Sequence, residues 1–418
     1  MQQKLIVVSM DALIYEDLEY LRIRPNFARL MKNCAAVQRV RSIYPTLTYP
    51  CHAAMTTGCY PTTHGVFNNT VLTPGALKAP WLWYHDAYKV KDLFDACKEK
   101  GLCTASIGWP STGCHPHVDY LVDEIAATTA KTSEEYRRDY LLTGTPQWLW
   151  EEICVPHIHW RTEKKRVAMF NGKVCSEIIR RFAPDLTLLH LANPDRERHT
   201  HGVFAPEVRN GLDECEEILG WLLQAIEDSG AAEQYNLVVT ADHGQLDTYQ
   251  VANPNVLFAS HGLLTVDEAG NVADWRAWSA TVGMCATVFV KEPADKPAVF
   301  DLLKRHEGLG FAKIYTQTEA AAEGYGGSFD FVLETDGKTS FENNWQGAYL
   351  VQREKVKGSH GFHPDKGPRP TMLCMGAGFR TGAVIPGANL VDGAPTWAKL
   401  LSVALPDADG KAVDALLR

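Results

Sequence analysis

The sequence predicts an α/β fold: a mostly parallel sheet flanked by helices, interrupted by a small inserted α+β subdomain. Three observations predict it. Strand-like and helix-like segments alternate over most of the 418 residues, as they do when helices connect parallel strands. Three short apolar runs, residues 5–9, 186–192 and 236–241, are continuous rather than alternating, which suits strands buried on both faces. They lead to acidic residues, Asp11, Asp195 and Asp242 respectively. The alternation then breaks over residues 265–351, which read as a compact insert into a core formed by 1–264 and 352–418.

The first run follows Lys4 directly and stops at Asp11. It reads as a first strand, since a secretory signal needs a longer apolar segment and a small-residue cleavage site. Residues 76–165 hold Trp81, Trp83, Tyr84, Trp109, Trp148, Trp150 and Trp160 and read as long excursions from the sheet. Such aromatics serve packing more often than binding; Trp109-Pro110 and Trp160 are the better candidates for a pocket wall. Between the second and third runs, Val208, Leu212, Cys215, Leu219, Leu222 and Ile226 recur at helical spacing. That helix is the expected crossover of a right-handed βαβ unit. Within the insert, 286–291 reads as a strand, 297–306 as a helix, and 311–315 and 329–335 as further strands, with a turn at Asp336-Gly337.

Hydrophobic residues make up 45% and charged residues 22%, the mix of a folded soluble protein. The net charge of −9 argues against binding a nucleic-acid duplex or an anionic membrane surface. No apolar run reaches the roughly 18 residues of a membrane helix. Eleven cysteines stand without a CxxC pair, an odd count that suits free thiols in a reducing cytoplasm.

Ligands of open α/β sheets bind beyond the carboxyl ends of the strands. Asp11, Asp195 and Asp242 lie at three such ends, with His199 shortly after Asp195 and His243 directly after Asp242. One aspartate there is more often a cap or turn residue; three, two of them with histidines, point to one site. Asp and His without Cys suit zinc or another borderline divalent ion. The stretch Tyr44-Pro45-Thr46-Leu47-Thr48-Tyr49-Pro50-Cys51-His52 runs into a helix whose first turn accepts Pro50. Thr48 would sit at its N-terminus, where free N–H groups and the macrodipole favour an anion. An N-cap threonine needs no chemistry, but a metal-bound hydroxyl there would lose its proton readily and become a nucleophile.

Pro45-Thr46-Leu47-Thr48-Tyr49-Pro50, followed by Thr57-Gly58-Cys59-Tyr60-Pro61-Thr62-Thr63-His64-Gly65-Val66 and Asn69, resembles the nucleotide pyrophosphatase/phosphodiesterase family of the alkaline phosphatase superfamily. Asp11, Asp195…His199 with Gly202, Thr240-Ala241-Asp242-His243-Gly244 and Gly358-Ser359-His360-Gly361-Phe362 match its other motifs in order. The resemblance implies an alkaline-phosphatase-like fold and two zinc ions, though other divalent ions could serve. One ion would be held by Asp11, Thr48, Asp242 and His243, the other by Asp195, His199 and His360. It also implies that Thr48 forms a covalent intermediate that water hydrolyses, that Asn69 donates to a phosphoryl oxygen, and that Tyr49 offers an aromatic face to the substrate. That substrate would be a small phosphodiester or nucleotide. Tyr49, Cys51 and Phe362 depart from the usual Phe, Asn and Tyr. His52 and His64 match family positions and are expected to brace the loop, while His201 and His363 are neighbours or substitutes of the ligands.

Cys59-Tyr60-Pro61-Thr62-Thr63 echoes a sulfatase signature but lacks its arginine. A phosphomonoesterase or phosphonate hydrolase would keep the same ligands, whereas a non-catalytic binding protein should have lost one of the seven. No arginine stands near Thr48 at a matching place, and Arg39 and Arg41 are expected to point elsewhere. A neutral Asn69 then favours a diester over the more highly charged monoester.

Overall fold

The computed structural model describes residues 2–126, 128–281 and 283–418. Its centre is an eight-stranded sheet. Six strands are β1 (Lys4–Met10), β2 (Ala35–Arg41), β3 (Thr104–Ile107), β4 (Tyr120–Val122), β5 (Leu186–Leu191) and β6 (Tyr235–Thr240); Met372–Gly376 and Val384–Asn389 complete it. Across the sheet the order is Val384–Asn389, β2, Met372–Gly376, β6, β1, β5, β3, β4. Met372–Gly376 runs against both of its neighbours, and the other pairings are parallel.

The strand period of two assigns the side chains of β1 to opposite layers. Ile6, Val8 and Met10 pack under the helices Val167–Phe182 and Val208–Asp228. Leu5 and Val7 pack on the other face with residues of Thr48–Thr57, Leu93–Glu99 and Gly393–Leu401. Both faces are therefore covered, which is why the strand has no polar alternation. The helix Val208–Asp228 buries the residues its spacing marked. The strands it links do not pair with each other, because β1 lies between β5 and β6.

Two expectations change. Residues 76–165 are not wholly excursions, since β3 and β4 lie within them and join the main sheet. At four and three residues these strands are too short for a periodic signal, and β3 hides its polar residues by bonding them: Thr104 Oγ1 donates to the His117 carbonyl at 2.9 Å. In the second half, an antiparallel sheet orders Ala277–Thr281, Cys285–Val290, Phe331–Thr335 and Phe311–Thr316, with the helix Lys296–Arg305 set on it through Val299, Leu302 and Leu303. Ala277–Thr281 was not foreseen from the sequence. A three-stranded sheet, Thr339–Phe341, Leu246–Ala252 and Leu350–Ser359, carries its last strand across residues 351 and 352 to the edge of the site. All eleven cysteines are free. Among the described residues no helix is long and apolar enough to cross a membrane.

Candidate active site

Register brings the strand-end carboxylates together. Ser9 of β1 pairs with Thr240 of β6, so Asp11 and Asp242, two residues further on, leave their strands side by side. The Ala12 N–H donates to Asp242 Oδ1 at 3.2 Å, and the Asp195 N–H donates to the Asp11 carbonyl at 3.0 Å. Asp195 then opens the helix Asp195–His201, which presents His199 one turn later.

Two compact groups result. Asp11, Asp242 and His243 form one, and Asp195, His199 and His360 the other. In the first, His243 Nε2 lies 3.0 Å from Asp242 Oδ2 and 3.6 Å from Asp11 Oδ1. Neither carboxylate oxygen has a hydrogen-bond partner, although both are buried. Close, unbonded donor atoms of this kind fit ligands of one cation. In the second group His199 Nε2 lies 3.3 Å, and His360 Nε2 3.8 Å, from Asp195. The other nitrogens of these rings face carbonyls, with Nδ1 of His199 2.9 Å from the Gly358 oxygen and Nδ1 of His360 2.9 Å from the Thr46 oxygen. A ring donating from Nδ1 keeps its Nε2 lone pair for a metal. The His243 and His360 rings stack at 3.9 Å, joining the groups.

The electrostatics agree. Burial, and then the charge of Asp195, push the Asp11 carboxyl well above its ordinary range. Burial, followed by Asp11, does the same to Asp242. Burial drives His243 down and brings His360 to about 4, so both rings are neutral at pH 7, the form that can ligate a metal. Burial opposes charge on Asp195 and His199 too, but each outweighs it for the other: Asp195 is held below the usual carboxylate range and His199 above the usual imidazole range. Carboxylates crowded in a buried space need compensating positive charge. The residues present therefore fit two divalent ions.

Thr48 is the first residue of the helix Thr48–Thr57, and its Oγ1 lies 3.3 Å from His243 Nε2. The helix start offers an anion fewer N–H groups than expected. Pro50 has none, and that of Tyr49 donates to Asn69 Oδ1 at 2.9 Å. That bond identifies the amide oxygen of Asn69 and leaves its NH₂ for the cleft it lines.

The cleft encloses about 470 Å³, and both groups contribute to its lining with Thr48, Tyr49 and Asn69. Its indole is Trp81, 5.2 Å from the Tyr49 ring. The expected walls lie elsewhere: Trp109 is buried edge-on to His52, and Trp160 lies beside Trp221. Trp81 gains its place because the 69–82 loop folds back, with the Leu82 N–H bonded to the Asn69 carbonyl at 3.0 Å. Sequence reasoning missed four more residues. His190 Nε2 lies 3.1 Å from Asp11 Oδ2, Glu124 accepts from the Tyr49 hydroxyl, and Gln245 donates to Asp195. Arg353 also lines the cleft, on the side of Ser340 and Glu342, a cation that the sequence near Thr48 does not announce. Polar residues within or just beyond apolar runs signal His190 and Gln245; nothing local signals Glu124 or Arg353.

The remaining residues stand outside the two Asp/His groups, although His52 Nδ1 comes within 3.7 Å of Asp242 Oδ2. His52 Nδ1 is 2.7 Å from the Thr48 carbonyl and its Nε2 2.9 Å from Ser9 Oγ, bracing the helix. The Val66 N–H donates to His64 Nδ1 at 3.1 Å. His201 faces Glu197 at 3.6 Å and His363 faces Glu323 at 3.3 Å. Cys51 contacts Ser42 at 3.3 Å, and burial pushes its thiol well up. Arg39 pairs with Glu16 and Arg41 with Asp365. Another Asp/His group, Asp92, Asp95 and His115, is occupied with capping: Asp92 accepts from the Phe94 and Asp95 N–H groups and faces His115.

The solved murine ectonucleotide pyrophosphatase/phosphodiesterase 5, as an inactive variant in complex with AMP, superposes with a TM-score of 0.70 and 19% identity, covering 100% of both chains. Its human counterpart gives 0.70 at 18%. In sequence, the chain is 24% identical over 220 residues to rat ectonucleotide pyrophosphatase/phosphodiesterase family member 1, covering 51% of this chain and 21% of that protein. It is 23% identical over 249 residues to human family member 5, covering 58% and 45%. The chain thus spans less than half the length of these curated relatives. The family model for type I phosphodiesterase / nucleotide pyrophosphatase matches residues 5–363. That match takes in both Asp/His groups, Thr48 and Asn69, and the chain belongs to the type I phosphodiesterase / nucleotide pyrophosphatase family.

Proposed function

We propose that this protein hydrolyses phosphodiester or nucleotide pyrophosphate bonds, with zinc in both Asp/His groups and Thr48 as a covalent nucleophile. The family supports the reaction class, and the AMP complex of the murine relative supports a nucleotide as the organic part of the substrate. The observation that carries the proposal is the place of the Thr48 hydroxyl, at a helix start, in the cleft and 3.3 Å from His243 Nε2.

Two divalent ions, one on Asp11, Thr48, Asp242 and His243 and one on Asp195, His199 and His360, would favour the ionised hydroxyl and offset charge on the phosphoryl and leaving oxygens. The Thr48 hydroxyl gives up its proton to solvent, and its Oγ1 forms a bond to phosphorus as the bond to the leaving oxygen breaks. Water then cleaves the phosphothreonine ester, and a proton returns to the hydroxyl. The Asn69 NH₂ donates to the phosphoryl oxygen on which charge builds. Trp81, backed by the fully buried Tyr49 ring at 5.2 Å, gives the organic group an aromatic wall.

A phosphomonoesterase is the second reading, favoured by Arg353, a cation of the kind a dianionic phosphate calls for. Bis(4-nitrophenyl) phosphate and 4-nitrophenyl phosphate, compared at equal zinc and pH, decide between them. The expected outcome is a higher kcat/KM for the diester. A higher value for the monoester moves the protein to the second reading, and no turnover of either, or of a nucleoside triphosphate, overturns both.

A further inference from the structure

The Leu350–Ser359 strand brings a cation to the cleft through an irregularity in its pairing. Gln352 pairs with Gln250 and Lys357 with Thr248. The four residues between them on one strand therefore oppose the single Tyr249 on the other. Such bulges re-aim side chains and cluster beside active sites. Arg353 is the first residue of this one, and the same strand ends at Ser359, next to His360.

The guanidinium is poorly paired for its burial. Its side chain is 19% exposed, and the nearest carboxylate oxygen, on Glu342, is 3.7 Å away. Nη2 donates to Ser340 Oγ at 2.7 Å, while Nε is buried with no partner. A partly desolvated cation lacking a full ion pair has capacity left for an anion. Arg353 and Glu342 also line a neighbouring cavity of about 420 Å³, together with Glu354, Lys355 and Lys357. The two spaces thus share Arg353 and Glu342, and three cations stand against two carboxylates around the second.

We infer that Arg353 binds a second anionic group of the substrate, on the leaving-group side of the scissile bond, and so selects nucleotide polyphosphates over diesters whose leaving group is uncharged or singly charged. The inference rests on the hydrolase reading. Thr48 Oγ1 stands beside His243 of one Asp/His group, so in an in-line displacement the leaving oxygen departs away from it, towards the group of Asp195, His199 and His360. Arg353 shares its strand with the approach to His360, so a pyrophosphate leaving group would reach it as it separates.

The test compares two substrates with the same transferred group. Thymidine 5′-triphosphate releases pyrophosphate, and the 4-nitrophenyl ester of thymidine 5′-monophosphate releases nitrophenolate. In Arg353→Ala the ratio of kcat/KM for triphosphate to ester should fall at least tenfold, and Arg353→Lys should recover part of it. Calorimetric titration of the metal-loaded protein should show inorganic pyrophosphate binding at least tenfold weaker in Arg353→Ala, with a smaller loss for inorganic phosphate. An unchanged ratio, or equal losses for the two substrates, overturns the inference. If the wild type turns over neither substrate, the hydrolase reading fails, and the pyrophosphate titration still decides whether Arg353 is an anion site: undiminished binding by Arg353→Ala overturns it.

Discussion

Thr48 holds its position through its neighbours, with His52 below its carbonyl and Asn69 on the next N–H. Thr48→Ala should therefore fold normally and lose about 10³-fold or more in kcat, while Thr48→Ser keeps measurable turnover of bis(4-nitrophenyl) phosphate. Near-normal kcat in Thr48→Ala would mean that water attacks phosphorus directly. His64 makes a different prediction. Burial lowers its pKa from the ordinary 6.5 to about 3, and its Nε2 has no partner. The folded state thus stays neutral where the unfolded chain takes up a proton, so stability is full above pH 6.5 and falls as the pH drops towards 3. At about 1.4 kcal/mol per pH unit, His64 costs about 2 kcal/mol between pH 6.5 and 5. Urea unfolding of His64→Gln should show a correspondingly shallower acid loss than the wild type, and identical pH slopes would refute this. At this scale the sequence is informative where an identity is tied to a strand end, as at Asp11, Asp195 and Asp242. It is silent on Glu124 and Arg353, whose roles come from what folds against them.

The helix Thr48–Thr57 must end sharply, and Gly58 ends it in the left-handed region at φ +73° with its N–H on the Ala54 carbonyl. A Cβ there would stand 2.9 Å from Pro395 Cδ in the helix Gly393–Leu401. Gly58→Ala should cost about 1–2 kcal/mol from conformation alone, with the clash adding to it. Urea unfolding measures the change, and unaltered stability would show that the helix end relaxes freely. The amphipathic stripe of Val208–Asp228 and the apolar runs of β1, β5 and β6 are legible because burial on a fixed period leaves a record in the residues. The short β3 and β4 leave none, and neither does the bulge at Arg353, which depends on how Leu350–Ser359 registers against Leu246–Ala252.

In the whole molecule, two Asp/His groups from four separate chain regions close the centre of the sheet, and their crowded carboxylates oppose folding without counter-ions. Ions should thus stabilise the native state, each by about 2.7 kcal/mol at a hundredfold excess over its Kd. Metal analysis should find close to two zinc ions per chain, fewer in Asp242→Asn and His360→Gln, and chelation should lower Tm by several degrees. Active protein without metal, or a Tm indifferent to chelator, would sink the two-ion reading. The sequence by itself determined the parallel core, its strand ends, and the identities of Asp11, Thr48, Asn69, Asp195, His199, Asp242, His243 and His360 as residues able to share one chemistry. The strand ends with Asp11, Asp195, His199, Asp242 and His243 follow from local periodicity and residue type, whereas Asn69, His360 and the role of Thr48 come from the motifs that carry the family resemblance. The tertiary structure alone decided that Trp81 rather than Trp109 or Trp160 faces the cleft, and that Glu124, His190 and Arg353 line it too. Each of those depends on loop path and strand register between residues far apart in sequence, and no local pattern encodes that.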